Sequence, residues 1–396
     1  MDKTLLLLRK EDKILSLLYH ENRLIQANAY GINSSDLESI YMGKVKNVVP
    51  SLEAVFVEYR PGTIGFLPMK QVKSPVLSNR KYDGRLIAGD ELLVQVEKEG
   101  VKTKSPGLTC NLSFTGKYCV LTTGRKHIGF SNKLTSIQKE RIHKVLSEAS
   151  IIQKLEQDFM GMVIRTNAGQ LEDPSPLMEE IDSLHGEAMN LLQTARHRTC
   201  FSLLKKPLPS YLCGIRDLYE YAYDRVVTDD PLLYEEIQKN FSAGETLLLY
   251  QDERISLSRL YNVETRLREA LEEKVWLKSG GYLVIQPTEA LTVIDVNSGK
   301  QAKRKGQDLF CQINREAAKE IALQLRLRNI SGIVIIDFIN QENEQQDREL
   351  LQYLTELVRG DSVPTTIVGM TALGLVEVTR KKISKPLWEQ LGSKKA

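Results

Sequence analysis

The chain has 396 residues, 42% of them hydrophobic and 27% charged, with a formal net charge of +3. That is enough apolar material for two to four globular domains, and a charge balance too even to name a polyanionic partner; only local clusters of charge can do so. No apolar run approaches the roughly 20 residues of a membrane span, and the run Leu5 to Leu8 is cut off by Arg9-Lys10-Glu11-Asp12, which is not a signal-peptide pattern.

Residues 1–34 alternate in short apolar segments, such as Lys13 to Leu18 and Arg23 to Ala27, and read as hairpin strands. They are too few to close a core and are expected to complete a sheet formed later in the chain. Between residues 40 and 112 five short strands follow one another: 40–49, 54–59, 64–68, 92–96 and 108–112, with the turn Arg60-Pro61-Gly62-Thr63. This spacing predicts a small closed barrel of the OB kind, a fold that offers aromatics for base stacking and cations for phosphates. Phe56, Phe66, Tyr59 and Lys104 are the candidates. Phe56 is in phase with Ala54 and Glu58, and Val55, Val57 and Tyr59 share the other face; the pattern alone leaves Phe56 as either core or platform.

From 113 to about 206 the pattern mixes strand and helix. Residues 137–155 are charged and amphipathic, predicting one helix. Residues 161–166 read as a strand ending in Arg165 and Thr166, a cation and a hydroxyl that suit a phosphate, or else a surface arginine beside a turn. Residues 207–273 are mostly helical and could join the N-terminal strands in one split domain. Residues 274–396 alternate strand and helix, an α/β layered domain. The five cysteines (Cys110, Cys119, Cys200, Cys213, Cys311) are scattered without CxxC spacing, which reads as inert thiols in a reducing, cytoplasmic setting.

Within the last region two β-branched runs each end in an aspartate: Leu291-Thr292-Val293-Ile294-Asp295 and Ile333-Val334-Ile335-Ile336-Asp337. A carboxylate at the end of a buried strand is costly unless it is paired. Two of them on neighbouring strands suit a hard cation; the competing reading is that each simply caps its loop. Lys300, Lys303, Arg304 and Lys305 follow closely and could contact a nucleic-acid backbone or form a solvated face.

Together these stretches resemble the ribonuclease E/G family of bacterial endoribonucleases. Glu289 to Gly299 is similar to that family's first metal-ligand motif, and Asn314 to Ala322 with Gln324 to Arg328 and the strand 332–339 is similar to its second. Gly374 to Lys382 resembles its closing motif. Ser51 to Val57 with Gly65-Phe66-Leu67-Pro68 resembles its RNA-binding barrel. The resemblance covers nearly the whole chain. It implies an RNase H-like domain (1–34 plus 207–273) split around an OB-fold RNA-binding barrel (35–112) and a 5′-sensor region (113–206), followed by a DNase I-like catalytic domain (274–396). It further implies that Asp295 and Asp337 bind a catalytic Mg²⁺ (Mn²⁺ substituting) and that Asn297 positions the attacking water or the metal shell. Single-stranded RNA would meet Phe56, Phe66 and Lys104, with Lys300, Lys303, Arg304 and Arg380 along its backbone. Arg165 and Thr166, with backbone near Val120, would bind a substrate 5′-monophosphate.

One departure stands out. The family often carries a CxxC after the catalytic domain, where two subunits share Zn²⁺. Here the last cysteine is Cys311, so no Zn²⁺ is expected, and any homodimer would form without it. Size favours the ribonuclease G type. The implied reaction is endonucleolytic hydrolysis of single-stranded RNA, from ribosomal precursors or messages, to 5′-phosphate and 3′-hydroxyl products. The alternatives are an RNA-binding protein without chemistry and a Mg²⁺-dependent phosphodiesterase acting on DNA.

Overall fold

The computed structural model describes residues 3–32, 36–98, 100, 105–218, 223–240, 246–299, 307–341 and 343–392. The chain divides into two compact units, one made of Met1–Ile32 with Leu218–Ala396 and the other of Asn33–Asp217. Among the described residues no helix is long and apolar enough to cross a membrane.

The unit 33–217 opens with the barrel. Strands Ile40–Val49, Ala54–Arg60, Thr63–Pro68, Gly107–Thr109 and Glu91–Lys98 pair in that spatial order, and Ile40–Val49 also pairs with Glu91–Lys98, which closes the ring. Closure removes the sheet edges that a solitary sheet would expose. Val55, Val57 and Tyr59 point into the core. Two strand glycines make room for that core: a Cβ on Gly43 would lie 2.6 Å from Val57 Cγ1, and one on Gly65 would lie 2.5 Å from the Leu108 side chain. The turn at Gly62 takes a left-handed φ of 76°, and its N–H donates to Glu58 Oε1 at 2.9 Å.

The rest of this unit is a four-stranded sheet in the order Ile128–Phe130, Met160–Ile164, Cys119–Thr123, Ser113–Thr115. Phe114, Leu121, Met162 and Ile164 pack against Leu177, Ile181 and Ala188 of the long helix Ser175–Ala195. The amphipathic stretch 137–155 forms two helices, Ser136–Glu148 and Ile151–Gln157, instead of the single one expected. Ser150 breaks it with a left-handed φ of 56°; periodicity carries across such a break because the next helix buries Ile151 and Leu155 against the same core. Burial pushes the Cys110 thiol up to about 12, so it stays protonated and inert.

In the other unit the N-terminal strands are completed from the middle of the chain. A five-stranded sheet runs Thr246–Leu249, Arg225–Thr228, Lys3–Lys10, Lys13–His20, Arg23–Gly31. The first three are mutually parallel and the last two antiparallel. Residues 207–217 do not belong here: helix Ser210–Asp217 falls in the barrel-bearing unit. It is tied there because Arg216 Nη1 donates to Thr115 O at 3.2 Å and Asp217 accepts from Arg165.

A second, six-stranded sheet has the order Lys274–Trp276, Tyr282–Pro287, Leu291–Asn297, Gly332–Asp337, Leu375–Arg380, Thr365–Met370. Leu283, Ile285, Ile294, Val296, Val334, Ile336, Val376 and Val378 form its buried face. That face packs on Ala317, Ile321 and Leu325 of helix Gln307–Leu327 and on Leu350, Leu354 and Val358 of helix Glu344–Arg359. Strand alternation therefore sends Asp295, Asn297 and Asp337 to the opposite face.

Candidate active site and nucleic-acid interface

The two aspartate-ended strands are parallel neighbours, and Asp295 and Asp337 are direct partners in the ladder. Neighbouring strands lie about 4.8 Å apart, so both carboxylates leave the sheet side by side. Two strands that arrive at one register from opposite sides of a helix need a long crossover, which Gln307–Leu327 supplies. Asn297, two residues beyond Asp295 and on the same face, donates its Nδ2–H to Asp295 Oδ2 at 2.6 Å.

The same helix braces both halves of the site. Asn314 is fully buried; its Nδ2 donates to Ile339 O at 2.7 Å and its Oδ1 accepts from Ile339 N at 3.1 Å. This fixes the backbone just past Asp337. Glu316 accepts from Lys278 N at 2.5 Å and Ser279 N at 3.1 Å, holding the Ser279-Gly280-Gly281 turn. That turn lies backbone to backbone on the segment after Asn297. A Cβ on Gly281 would fall 2.8 Å from Asn297 O, and one on Gly299 would fall 2.4 Å from Gly280 O. Only glycine fits at either place.

Among the described residues no three His, Cys, Asp or Glu side chains cluster as a full metal cage. Two facing carboxylates and an amide fit a hard cation that retains most of its waters, as Mg²⁺ does. They do not supply the donors a dehydrated transition metal demands.

Lys300, Lys303 and Arg304, expected along the RNA backbone, lie outside the described residues, as does Lys104. Arg380 is placed where it cannot serve RNA. It is 3% exposed. Its Nε and Nη2 donate to Asp361 at 2.7 and 3.3 Å, and its Nη1 donates to Asn329 Oδ1 at 3.0 Å and Ile330 O at 2.9 Å. A guanidinium so saturated is part of the core.

In the barrel-bearing unit, Phe56 and Phe66 are ladder partners on the outer wall, half-buried, with ring centroids 5.9 Å apart in an edge-on arrangement. The structure places Phe56 on the barrel wall and not in its core. Phe66 also pairs with Gly107, which is opposite Lys98. The Lys98 stem lies against Gly107, 3.3 Å from where a Cβ would stand. An exposed lysine therefore flanks the aromatic pair, with no signal in the sequence to mark it.

Arg165 and Thr166 follow the strand Met160–Ile164. Val120 pairs with Val163, so Val120, Val163 and Arg165 share one face. Arg165 Nη1 donates to Gly116 O at 2.6 Å, and Nη2 to Asp217 Oδ1 at 2.7 Å. Thr166 Oγ1 and Ser131 Oγ are 2.8 Å apart. Burial works to raise the Asp217 carboxyl, but Arg216 and Arg165 beside it hold it below its usual range. Asp217 and Ser131 had no sequence signal linking them to Arg165; each arrives from a separate element.

A model of the Ribonuclease E/G family matches residues 113–383, and a model of the S1 RNA binding domain matches residues 37–111. The chain belongs to the ribonuclease E/G family. Ribonuclease E of Nostoc sp. is 32% identical over 395 residues, which is 96% of this chain and 56% of that protein. Ribonuclease E of Synechocystis sp. is 32% identical over 380 residues, 93% of this chain and 55% of that protein. Ribonuclease G of Escherichia coli (strain K12) is 32% identical over 360 residues, 87% of this chain and 72% of that protein. The chain thus spans about half the length of the ribonuclease E relatives above. The S1 match falls on the closed five-stranded barrel, the fold expected there.

Proposed function

We propose that this chain is a Mg²⁺-dependent endoribonuclease that hydrolyses single-stranded RNA to 5′-phosphate and 3′-hydroxyl ends, stimulated by a substrate 5′-monophosphate, in ribosomal RNA maturation or message decay. The observation that carries this reading is the ladder pairing of Asp295 with Asp337, completed by Asn297. Family membership and the S1 match supply the substrate class. The five-stranded order, with three parallel strands and an antiparallel hairpin at one side, supports an RNase H-like reading of the sheet that begins the chain.

Asp295 and Asp337 would hold the metal. When bound there, Mg²⁺ supplies Lewis acidity toward the scissile phosphate and an acidified water. Asn297 fixes the orientation of the Asp295 carboxylate and keeps an amide oxygen with which to orient that water. No histidine lies in either motif, so nothing there favours a route through a 2′,3′-cyclic phosphate. Phe56 and Phe66 offer stacking faces to unpaired bases, with Lys98 as counter-charge. Arg165, which already holds a carboxylate, is suited to a terminal phosphate in its place.

The test is one labelled single-stranded RNA and its DNA counterpart, each with Mg²⁺ or with EDTA. Cleavage of the RNA alone, only with Mg²⁺, is expected, and Asp295→Asn or Asp337→Asn should abolish it while RNA binding persists. Wild-type cleavage rates in either variant would refute the metal assignment.

A further inference from the structure

The face of the six-stranded sheet that carries Asp295, Asn297 and Asp337 also carries Trp276, Tyr282 and Lys274. Tyr282 is the ladder partner of Asn297, and Trp276 is the partner of Tyr282. One row along, Lys274, Val284, Asp295 and Asp337 are partners in succession. With about 4.8 Å between strands, the aromatic pair begins within one strand spacing of Asn297. Val275 and Leu277 pack into the core, so Trp276 between them is turned outward, and it is 65% exposed.

The two rings stand 5.3 Å apart at 59°. The Lys274 ammonium lies 4.1 Å from the centre of the Trp276 ring and 3.6 Å from that of Tyr282. The core has no use for this arrangement, since its apolar demand is met on the other face. The indole is left largely in water, with Tyr282 and Lys274 as its ring partners. A flat, electron-rich face with a cation at its edge matches one ligand class, an unpaired nucleobase with its phosphate.

We propose that Trp276 and Tyr282, with Lys274, form a base-stacking subsite for the nucleotide next to the scissile phosphate. The indole stacks on the base and the ammonium meets the adjoining phosphate. The subsite rests on the endoribonuclease reading for its position, because it places a base where the cut is made. It is separate from the Phe56–Phe66 platform and lies in the unit that carries the carboxylates.

The chain has two tryptophans, Trp276 and Trp388, so intrinsic fluorescence in a Trp388→Phe background reports on Trp276 alone. In that background, with Asp337→Asn to keep RNA intact, a single-stranded oligoribonucleotide should quench the emission; the same sequence as a duplex should not. In cleavage-competent protein, Trp276→Ala should lower kcat/KM roughly tenfold, chiefly through KM, with Trp276→Phe retaining most of it. An abasic residue walked along the substrate should hurt the wild type at one position and cost Trp276→Ala nothing further there. RNA that is cut normally without quenching Trp276 overturns the subsite but not the nuclease. Quenching by single strands in a wild type that cuts nothing overturns the nuclease reading and keeps the stacking site. Quenching that follows protein concentration without RNA means a second copy covers this face, and also overturns the proposal.

Discussion

Arg165 and Arg380 are both arginines at the end of a β-strand, both bonded to an aspartate, and both expected at the outset to meet RNA. The structure separates them completely. Arg380 and Asp361 are sealed in the core, where each guanidinium nitrogen has a protein acceptor. Arg165 has 23% of its side chain exposed and its partner Asp217 has 44%, so a competing anion can reach the pair. Identical chemistry is sealed into the core in one place and left open to solvent in the other, and the surrounding burial decides which.

The difference can be broken from either side. The largest effect is expected at the sealed pair: Asp361→Ala leaves Arg380 charged, buried and short of an acceptor, at a cost of about 3–5 kcal/mol. Urea unfolding should show it, and loss of less than about 1 kcal/mol would mean that the arginine escapes to solvent. Next comes an outward residue with no ion pair. Phe56→Ala should weaken single-stranded RNA binding by about 1–3 kcal/mol with little change in unfolding midpoint, because Phe56 lies on the barrel wall and not in its core. Titration of RNA by anisotropy checks this.

The open pair should behave inversely to the sealed one. Arg165→Gln is expected to change stability by under about 1 kcal/mol yet erase any preference for 5′-monophosphate over 5′-hydroxyl RNA in competition assays. A retained preference would place the sensor elsewhere. The smallest effect is on pH. The Asp217 carboxyl is lowered in the folded state, so its contribution is complete above the ordinary carboxylate value of about 3.9 and is lost as pH falls through its folded value. Asp217→Asn should flatten that part of the acid unfolding curve and leave the neutral range unchanged.

How much of this could be read in advance follows from strand phase. The two aspartates were legible because β-branched runs announce buried strands, and both carboxylates fall out of phase with the buried Ile294 and Ile336. The same rule, applied one strand further, would have placed Arg380 correctly: it is in phase with Val376 and Val378, both fully buried. Its basic neighbours Lys381 and Lys382 mask that phase by making the segment read as a charged tail. Phase also puts Arg165 with Val163 on an open face. It does not reveal Asp217, which reaches Arg165 from 52 positions away on a helix that the sequence assigned to the other unit. Nor does it show that Ser150 would break a helix whose amphipathic pattern runs on. Trp276 carries no such signal, because the strand around it is only three residues long, too short for alternation to speak.

The paired aspartates stand on the third and fourth strands of a six-stranded sheet, with two strands on either side. Interior strands open only when the whole cooperative unit opens. The spacing of the two carboxylates is therefore set by backbone ladder bonds whose amides belong among the slowest to exchange with solvent. A cation held by these carboxylates would add to the stability of the sheet by mass action.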